Sequence, residues 1–472
     1  MLQLYFRTRS ITLSLGLFLI GTLGLSCLST TFFKEQDHAL AQQYIPTIKY
    51  RNLVIDLGNG VKTNAQLTYP VVGNGPFPGV LLIHGSGSFD KNETEVLFAH
   101  KNSLKPLTPF WQIAQYLSER GFAVLRYDKR GVGNFTIDQN VWENATVNDF
   151  IHDAEKALNV LIQQPEVDPK RTSIIGHSEG TIITPIVAVD NPTKVKNIVL
   201  VGAQAQNLRD TVYFQWVYLP LLYAEKVLDH NHNGSISVQE ASKDPIFQEL
   251  TLTQLSPSTT NLLMKKQKDV PLAVRLLLTG KVVTADQLIQ PIKNASNNNS
   301  SKQNYISIDK DLKPLLVKKI DSLSSKNASC TLDKCPTWWR SHFSLGTNLG
   351  MIGNISSSTG ILILQGENDT STPVQQAFML QQRLTEVNHP DHTLITYPRL
   401  GHFLSPAIGV YPGSSMYGLQ KFGPIEDYAL ADLYSWLEAH SGLSHFFIIP
   451  TTGNMTLSNT DTGSSSSSSK SR

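Results

Sequence analysis

Short apolar runs alternate with segments of helical pattern through residues 44–205. The run Val80–Ile83 is typical of a strand that is buried on both faces. Further strands are predicted at Phe122–Tyr127, Thr172–Ile175 and Ile198–Val201, and helices at Pro109–Arg120, Val147–Gln163 and Glu179–Val189. Strands that alternate with helices form a mostly parallel sheet with helices on both faces. The pattern therefore predicts an α/β fold.

The alternation stops near residue 206 and resumes near residue 355. Strands are then predicted at Ile361–Leu364 and Thr393–Tyr397, and helices at Pro373–Leu384 and Pro424–His440. The intervening residues 206–350 contain an aromatic-rich helical stretch, Thr211–Leu228, and polar linkers. We therefore expect one α/β domain, built from residues 44–205 and 355–445, that is interrupted by an inserted and mainly helical cap.

Both ends of the chain are predicted to lie outside this domain. Residues 1–41 resemble an export segment, because Arg7 and Arg9 precede an uncharged stretch and Ala39-Leu40-Ala41 offers a small-x-small cleavage site. The uncharged stretch is also long enough to span a bilayer, so a cleaved signal peptide and a retained signal-anchor both stay open. We expect an extracytoplasmic protein, either secreted or anchored to the membrane by this segment. Residues 450–472 are rich in Ser and Thr and are expected to be disordered.

A nucleophile motif, Gly176-His177-Ser178-Glu179-Gly180, lies between a predicted strand and a predicted helix. In that context a sharp turn holds the serine in a strained conformation, and glycines two residues to either side avoid a clash. Ser178 is therefore the predicted nucleophile. His177, its neighbour in the turn, is expected to point away from the reaction.

A serine hydroxyl reacts only when a base takes its proton. His402 follows the last predicted strand, and a loop at the carboxyl edge of the sheet can bring it to Ser178. Asp369 follows the strand Ile361–Leu364 and is the predicted acid that orients His402, with Glu367 as the nearest substitute. The chain order of nucleophile, acid and histidine is that of α/β-hydrolases.

An oxyanion needs two preset N–H donors. One is predicted to be the backbone N–H of Glu179, directly after the nucleophile. The other is predicted to come from the glycine-rich loop after Val80–Ile83, with the N–H of Ser86 preferred and that of Gly85 as the alternative. His84 in this loop is expected to be a buried packing or hydrogen-bonding residue.

Three motifs together resemble the α/β-hydrolase superfamily, in particular its esterase and serine-aminopeptidase-like branch. They are Leu82–Gly87, Arg126-Tyr127-Asp128-Lys129-Arg130-Gly131-Val132-Gly133 and Gly176–Gly180, joined by Asp369 and His402. The resemblance covers roughly residues 50–205 and 355–442. It implies an α/β-hydrolase fold, catalysis without a cofactor, and a structural role for Asp128–Arg130 in bracing the oxyanion loop.

The predicted cap contains a 12-residue stretch, 229–240, with the register of a calcium-binding EF-hand loop. The predicted ligands are Asp229, Asn231, Asn233, Ser235, Ser237 and Glu240, with Ser235 offering its carbonyl. Gly234 occupies the position of the sharp turn. The alternative is a polar loop that binds nothing. If calcium binds, we expect it to brace the cap and to take no part in the chemistry.

The chain has three cysteines, and two of them form a close pair, Cys330 and Cys335. In an exported protein such a pair is predicted to form a disulfide. Free or metal-binding thiols are the alternative, and His342 alone does not complete a zinc site.

Three functions fit these residues. The first is hydrolysis of a carboxylic ester through an acyl-enzyme on Ser178. The second is a serine peptidase of the aminopeptidase type with the same three residues, and the third is a non-catalytic surface module. The formal net charge of +2 argues against a nucleic-acid partner, so we expect a small ester or a peptide as substrate. The oligomeric state stays open.

Overall fold

The structure is a computed structural model, and it describes residues 47–94, 106–133, 136–252, 305–325, 328, 330, 334–409, 418–420 and 423–443. An eight-stranded sheet organises these residues. Its strands in chain order are β1 (Ile48–Gly58), β2 (Val61–Pro70), β3 (Phe77–Ile83), β4 (Ala123–Tyr127), β5 (Val167–His177), β6 (Asn197–Val201), β7 (Gly360–Gly366) and β8 (His392–Tyr397).

The strands lie side by side in the order β1-β2-β4-β3-β5-β6-β7-β8. The hairpin β1–β2 and the pair β2–β4 are antiparallel, and every other pair in this sheet is parallel. The carboxyl ends of β3, β5, β6, β7 and β8 therefore meet at one edge. Binding sites of open α/β sheets form at this edge.

Six helices are used below: α1 (Pro109–Ser118), α2 (Val147–Ile162), α3 (Gly180–Asp190), α4 (Pro336–Ser344), α5 (Val374–Glu386) and α6 (Asp427–Ser441). Further helices span Gln139–Glu143, Leu208–Tyr213, Phe214–Tyr218, Leu219–Tyr223, Ala224–Leu228, Val238–Ala241, Pro245–Leu252, Ile308–Leu312, Lys313–Leu323 and Asn348–Ile352. Short two-stranded pairs join Val132–Gly133 to Thr136–Ile137, Ser235–Ser237 to Tyr305–Ser307, and Ala407–Gly409 to Gly418–Gln420.

Side chains alternate between the two faces along each strand, so both faces carry side chains that must pack. Helices cover both of these faces. Leu81 of β3 packs in the cluster that contains α2, whereas its neighbours Val80 and Leu82 pack with α1 and α6. All seven residues of β3 are buried. The predicted α/β fold with a mostly parallel sheet is confirmed.

The described segments between β6 and β7 are mainly helical, and some of their side chains enter the same apolar core as α2. Trp216, Ile236, Ile306, Leu316 and Trp338 all belong to that cluster. The described residues lie in one compact unit that begins at Pro46. The domain boundaries given above stay predictions, and segments 1–41 and 450–472 lie outside the described residues. Within the described ranges, none of the helices has the length and hydrophobicity that crossing a bilayer requires.

Candidate active site

Ser178 lies in a two-residue turn between β5, which ends at His177, and α3, which begins at Gly180. Its φ of 53° falls in the left-handed region, which non-glycine residues rarely adopt. A Cβ on Gly176 would lie 2.3 Å from the Gly180 carbonyl oxygen, and one on Gly180 would lie 2.2 Å from the Ile83 carbonyl oxygen. Only glycine fits at either position, so the two glycines allow the turn that lifts Ser178 above the sheet.

Asp369 and His402 form a buried pair at the carboxyl edge. Asp369 follows β7, His402 follows β8, and Asp369 Oδ2 lies 2.8 Å from His402 Nδ1. Burial alone would raise the pKa of the Asp369 carboxyl, but the His402 ring and the Thr372 donors hold it below its ordinary value. The acid is therefore an anion that can fix the histidine tautomer and stabilise an imidazolium.

Asp369 and the alternative acid, Glu367, make different contacts in the structure. Glu367 Oε1 accepts a hydrogen bond from the Thr396 hydroxyl at 2.9 Å. Asp369 instead holds the loop itself, since its Oδ1 accepts the backbone N–H groups of Ser371 and Thr372, each at 2.8 Å. Of the two carboxylates, Asp369 is the one that contacts His402.

The end of β6 connects Ser178 to the histidine loop. The Ser178 N–H donates to the Val201 carbonyl oxygen at 3.0 Å, and the next residue along the chain, Gly202, adjoins the His402 ring. A Cβ on Gly202 would lie 2.8 Å from His402 Nδ1. Ser178 and His402 therefore both lie next to the carboxyl end of β6.

The glycine-rich loop after β3 lies against the nucleophile. A Cβ on Gly85 would lie 3.1 Å from the Ser178 Cβ. The Gly85 N–H donates to Glu93 Oε1 at 2.5 Å, and its carbonyl oxygen accepts from Lys129 Nζ at 2.5 Å. The Gly85 N–H is therefore engaged in holding the loop, which removes the alternative oxyanion donor. Ser86 stays the predicted donor from this loop.

Glu179 carries a buried side chain that joins three elements. Its Oε2 lies 2.5 Å from Lys129 Nζ, and its Oε1 accepts from Trp338 Nε1 at 2.9 Å and lies 2.6 Å from His342 Nε2. Burial alone would raise the pKa of Glu179, but Lys129 and His342 lower it to about 2. Its side chain thus ties the nucleophile turn to α4, while its backbone N–H stays the other predicted oxyanion donor.

The segment Asp128–Arg130 braces the site in two directions. Asp128 Oδ1 accepts the N–H of Lys91 at 2.7 Å, and Lys129 holds Gly85, so these two residues act on the oxyanion loop. Arg130 instead donates to both carboxylate oxygens of Asp153 in α2, at 2.6 and 2.7 Å. The predicted bracing role thus falls to Asp128 and Lys129.

Two histidines near Ser178 have different surroundings. His84 is fully buried and stacks on Phe110 at 5.1 Å between ring centroids, and burial lowers its pKa to about 4. His177 ends β5, and its ring lies 4.7 Å from the His402 ring between centroids. It thus contacts the histidine loop. No local sequence signal indicates this contact.

A family model for the alpha/beta hydrolase fold matches residues 78–406. The match covers more than half of the chain, from β3 to the loop that holds His402. The chain belongs to the α/β-hydrolase family.

Two curated relatives of this α/β-hydrolase are named esterases. Esterase EstD from Thermotoga maritima is 33% identical over 157 residues, which are 33% of this chain and 34% of that protein. Esterase FrsA from Yersinia pestis is 25% identical over 169 residues, which are 36% of this chain and 35% of that protein. The matches thus span about a third of the length of each relative. Among solved structures, hypothetical protein PA2218 from Pseudomonas aeruginosa has a TM-score of 0.43 at 14% identity, with 84% of this chain and 94% of that chain covered.

The EF-hand-like stretch of this α/β-hydrolase folds as a tight loop. Asp229 Oδ1 and Oδ2 accept the backbone N–H groups of Asn233 and Gly234, at 3.1 and 2.7 Å. Gly234 has the positive φ of 76° that the sharp turn needs. The loop leads into strand Ser235–Ser237, and Ser237 caps the helix that holds Glu240. Its oxygen-rich side chains suit calcium. Binding of calcium by the six ligands given above stays a prediction.

The cysteine pair of the α/β-hydrolase lies directly before α4. Cys330 and Cys335 are joined by a disulfide with an S–S distance of 1.95 Å. The two sulfur atoms are therefore bonded to each other, whereas the alternative prediction has two metal-binding thiols. The disulfide closes the short segment that leads to Trp338 and His342.

Proposed function

We propose that this α/β-hydrolase cleaves carboxylic esters through an acyl-enzyme on Ser178. The buried Asp369–His402 pair carries the proposal, because it lies near the carboxyl end of β6. The strained Ser178 is hydrogen-bonded to the same strand end. An anionic acid, a histidine and a serine held in a strained turn are the parts that acyl transfer requires. The esterase names of EstD and FrsA support the ester as substrate class.

Each residue has one role in the proposed reaction. His402 takes the proton of the Ser178 hydroxyl as its oxygen attacks the acyl carbon, and the N–H groups of Glu179 and Ser86 hold the oxyanion. His402 then passes the proton to the leaving alcohol. Water, activated by the same histidine, frees the acid from Ser178. Asp369 stays ionised throughout and stabilises the imidazolium.

The test uses a fluorophosphonate probe together with two substrates. We expect the probe to label wild-type protein and to leave Ser178→Ala unlabelled. Short-chain nitrophenyl esters are expected to be cleaved much faster than aminoacyl nitroanilides, and the reverse order would favour the peptidase. A wild-type protein that the probe does not label would overturn the serine mechanism and leave a non-catalytic role.

The two acidic candidates give a matched pair of variants. We expect Asp369→Asn to lower kcat by about 10³- to 10⁴-fold, since the wrong histidine tautomer is then favoured. Glu367→Gln makes the same chemical change two residues away and should leave kcat within about twofold, because Glu367 contacts Thr396. Equal losses in the two variants would contradict the assignment of the acid.

Export also stays a prediction, which rests on Arg7, Arg9 and the uncharged stretch that follows them. A modest calcium affinity would suit an extracytoplasmic location. Catalysis itself is proposed to need no cofactor.

A further inference from the structure

A second buried acid lies beside the proposed catalytic residues and has no part in the chemistry above. Glu93 is fully buried, and its Oε1 accepts the Gly85 N–H at 2.5 Å. The same oxygen lies 2.9 Å from Nδ1 of His177. Glu93 thus contacts both the glycine-rich loop and the residue before the nucleophile.

His177 extends this contact to the histidine loop. Its Nε2 lies 3.3 Å from the backbone carbonyl oxygen of His402, on the other side of the ring from Glu93. A carbonyl oxygen only accepts, so Nε2 must carry a hydrogen. Nδ1 faces an oxygen that already accepts the Gly85 N–H, which favours a carboxylate anion that accepts from a protonated Nδ1 as well. Both ring nitrogens then donate, and the ring is an imidazolium.

We propose that Glu93 and His177 form a buried ion pair that positions the loop of His402 against the glycine-rich loop. His177 is a positioning residue, since it touches the His402 backbone and ring but not the reacting atoms. The pair joins Gly85, which adjoins Ser178, to the residue proposed as the base. The inference rests on the proposed function for its catalytic consequence, although the ion pair itself does not.

The surrounding charges agree with this protonation state. Burial alone would lower the pKa of His177, but Glu93 raises it above the ordinary value, with the His402 carbonyl and Asp369 adding to the effect. Burial alone would raise the pKa of Glu93, but His177 lowers it, and His84 acts in the same direction. Outside the pair itself, Asp369 acts on His177 and His84 acts on Glu93, and the His402 ring lies next to His177.

The ion pair changes the charges around His402. The ring centroid of His177 lies 4.7 Å from that of His402, and Asp369 Oδ2 lies 2.8 Å from His402 Nδ1. The proposed base therefore has a cation and an anion as neighbours, and loss of the ion pair removes the cation.

Nitrogen NMR of the wild-type full chain tests the ion pair directly. With ¹⁵N-labelled histidine, we expect both ring nitrogens of His177 to be protonated at pH 8, where an ordinary histidine is neutral. The resonance is assigned by its loss in His177→Asn. A neutral ring at pH 8 would overturn the proposal. The measurement needs no enzymatic activity, and the variant serves only to assign the resonance.

The rate of fluorophosphonate labelling against pH tests the positioning role. In Glu93→Gln, which keeps an acceptor for the Gly85 N–H, and in His177→Asn, we expect labelling at pH 8 to slow at least tenfold. We expect the acid limb of the rate profile to move to higher pH, because the positive charge of His177 is lost. Glu143→Gln, an exposed site, is the control for removal of a carboxylate.

The outcomes separate the two proposals. A slower rate with an unmoved acid limb would mean that the pair only supports the fold, and would overturn the electrostatic role. A wild-type protein that the probe does not label would overturn the proposed function, while the NMR result would still decide whether the ion pair exists.

Discussion

Glu179 combines a backbone role and a side-chain role in the proposed enzyme. Its N–H is a predicted oxyanion donor, and its carboxylate is fully buried against Lys129, with 4% of the Lys129 side chain exposed. Burying two charges costs free energy unless their remaining atoms find partners. Here Trp338, His342 and the Gly85 carbonyl supply those partners. The side-chain contacts of Glu179 thus fix the position of the residue that follows the nucleophile.

The lowered pKa of Glu179 predicts a pH dependence of stability. The pKa is about 2 in the folded chain and 4.5 ordinarily, so the ionised carboxylate stabilises the fold above about pH 4.5. This contribution declines as the pH falls toward 2. Between pH 6 and pH 3 we expect the free energy of unfolding of the wild type to fall by about 2 kcal/mol more than that of Glu179→Gln. Urea unfolding at the two pH values measures both, and parallel losses would contradict the assigned partners.

At the scale of elements, α4 lies in the chain between β6 and β7 and contacts the nucleophile turn. Trp338 and His342 of α4 contact Glu179, and the Ser341 hydroxyl accepts the first N–H of α2 at 3.1 Å. The Trp338 ring stacks on His342 with 3.9 Å between centroids. The position of this helix therefore depends on polar contacts with the residue that follows Ser178.

Two neighbouring tryptophans allow this contact to be tested with a matched control. Trp338 and Trp339 are each 2% exposed, but Trp339 Nε1 has no hydrogen-bond partner among the described residues. Trp338→Phe removes the donor to Glu179 and leaves a buried anion with one partner fewer, so we expect it to cost about 1–3 kcal/mol more than Trp339→Phe. Chemical denaturation measures the difference. Equal costs would mean that packing alone holds the helix.

The strands are predictable from sequence, whereas the contacts of the buried charges are not. Buried parallel strands require uninterrupted apolar runs, so β3 and β7 fall on the predicted runs. Glu179 meets Trp338 159 positions later, and His177 meets Glu93 84 positions earlier. Nothing in the local pattern indicates which distant loop supplies a partner. The same distance explains why the contact of His177 with the histidine loop is not predictable from sequence.

Ser178, Asp369 and His402 are easier to predict because each follows a strand whose carboxyl end must reach the same edge of the sheet. Their chain order and the glycines around Ser178 narrow the choice further. The choice between Asp369 and Glu367 needs the loop geometry, since the two carboxylates lie two positions apart and only one faces His402.

At the scale of the whole molecule, the sheet and the described segments between β6 and β7 share one apolar cluster. Leu81 and Ile363 of the sheet belong to the same cluster as Ile236, Ile306 and Trp338. Residues that share a buried core lose their contacts together when the chain unfolds. We therefore expect the sheet and the described segments between β6 and β7 to unfold in one transition.

A ligand that binds a segment between β6 and β7 should then stabilise the sheet as well. The loop 229–240 leads into strand Ser235–Ser237, which pairs with Tyr305–Ser307 and buries Ile236 in the shared cluster. If calcium binds Asp229 and its partners, a concentration 100 times the Kd adds about 2.7 kcal/mol to the free energy of unfolding. For a chain of this size we expect the single Tm to rise by about 3 °C.

Differential scanning calorimetry with calcium, with magnesium and with a chelator measures this effect. Asp229→Asn and Glu240→Gln remove the two charged ligands and should abolish the shift, whereas Asp190→Asn removes an exposed carboxylate at the end of α3 and should keep it. A calcium-dependent shift confined to a separate, smaller transition would contradict the shared core. A transition that neither calcium nor the chelator moves would mean that the loop is held by its own hydrogen bonds, such as those from Asn233 and Gly234 to Asp229.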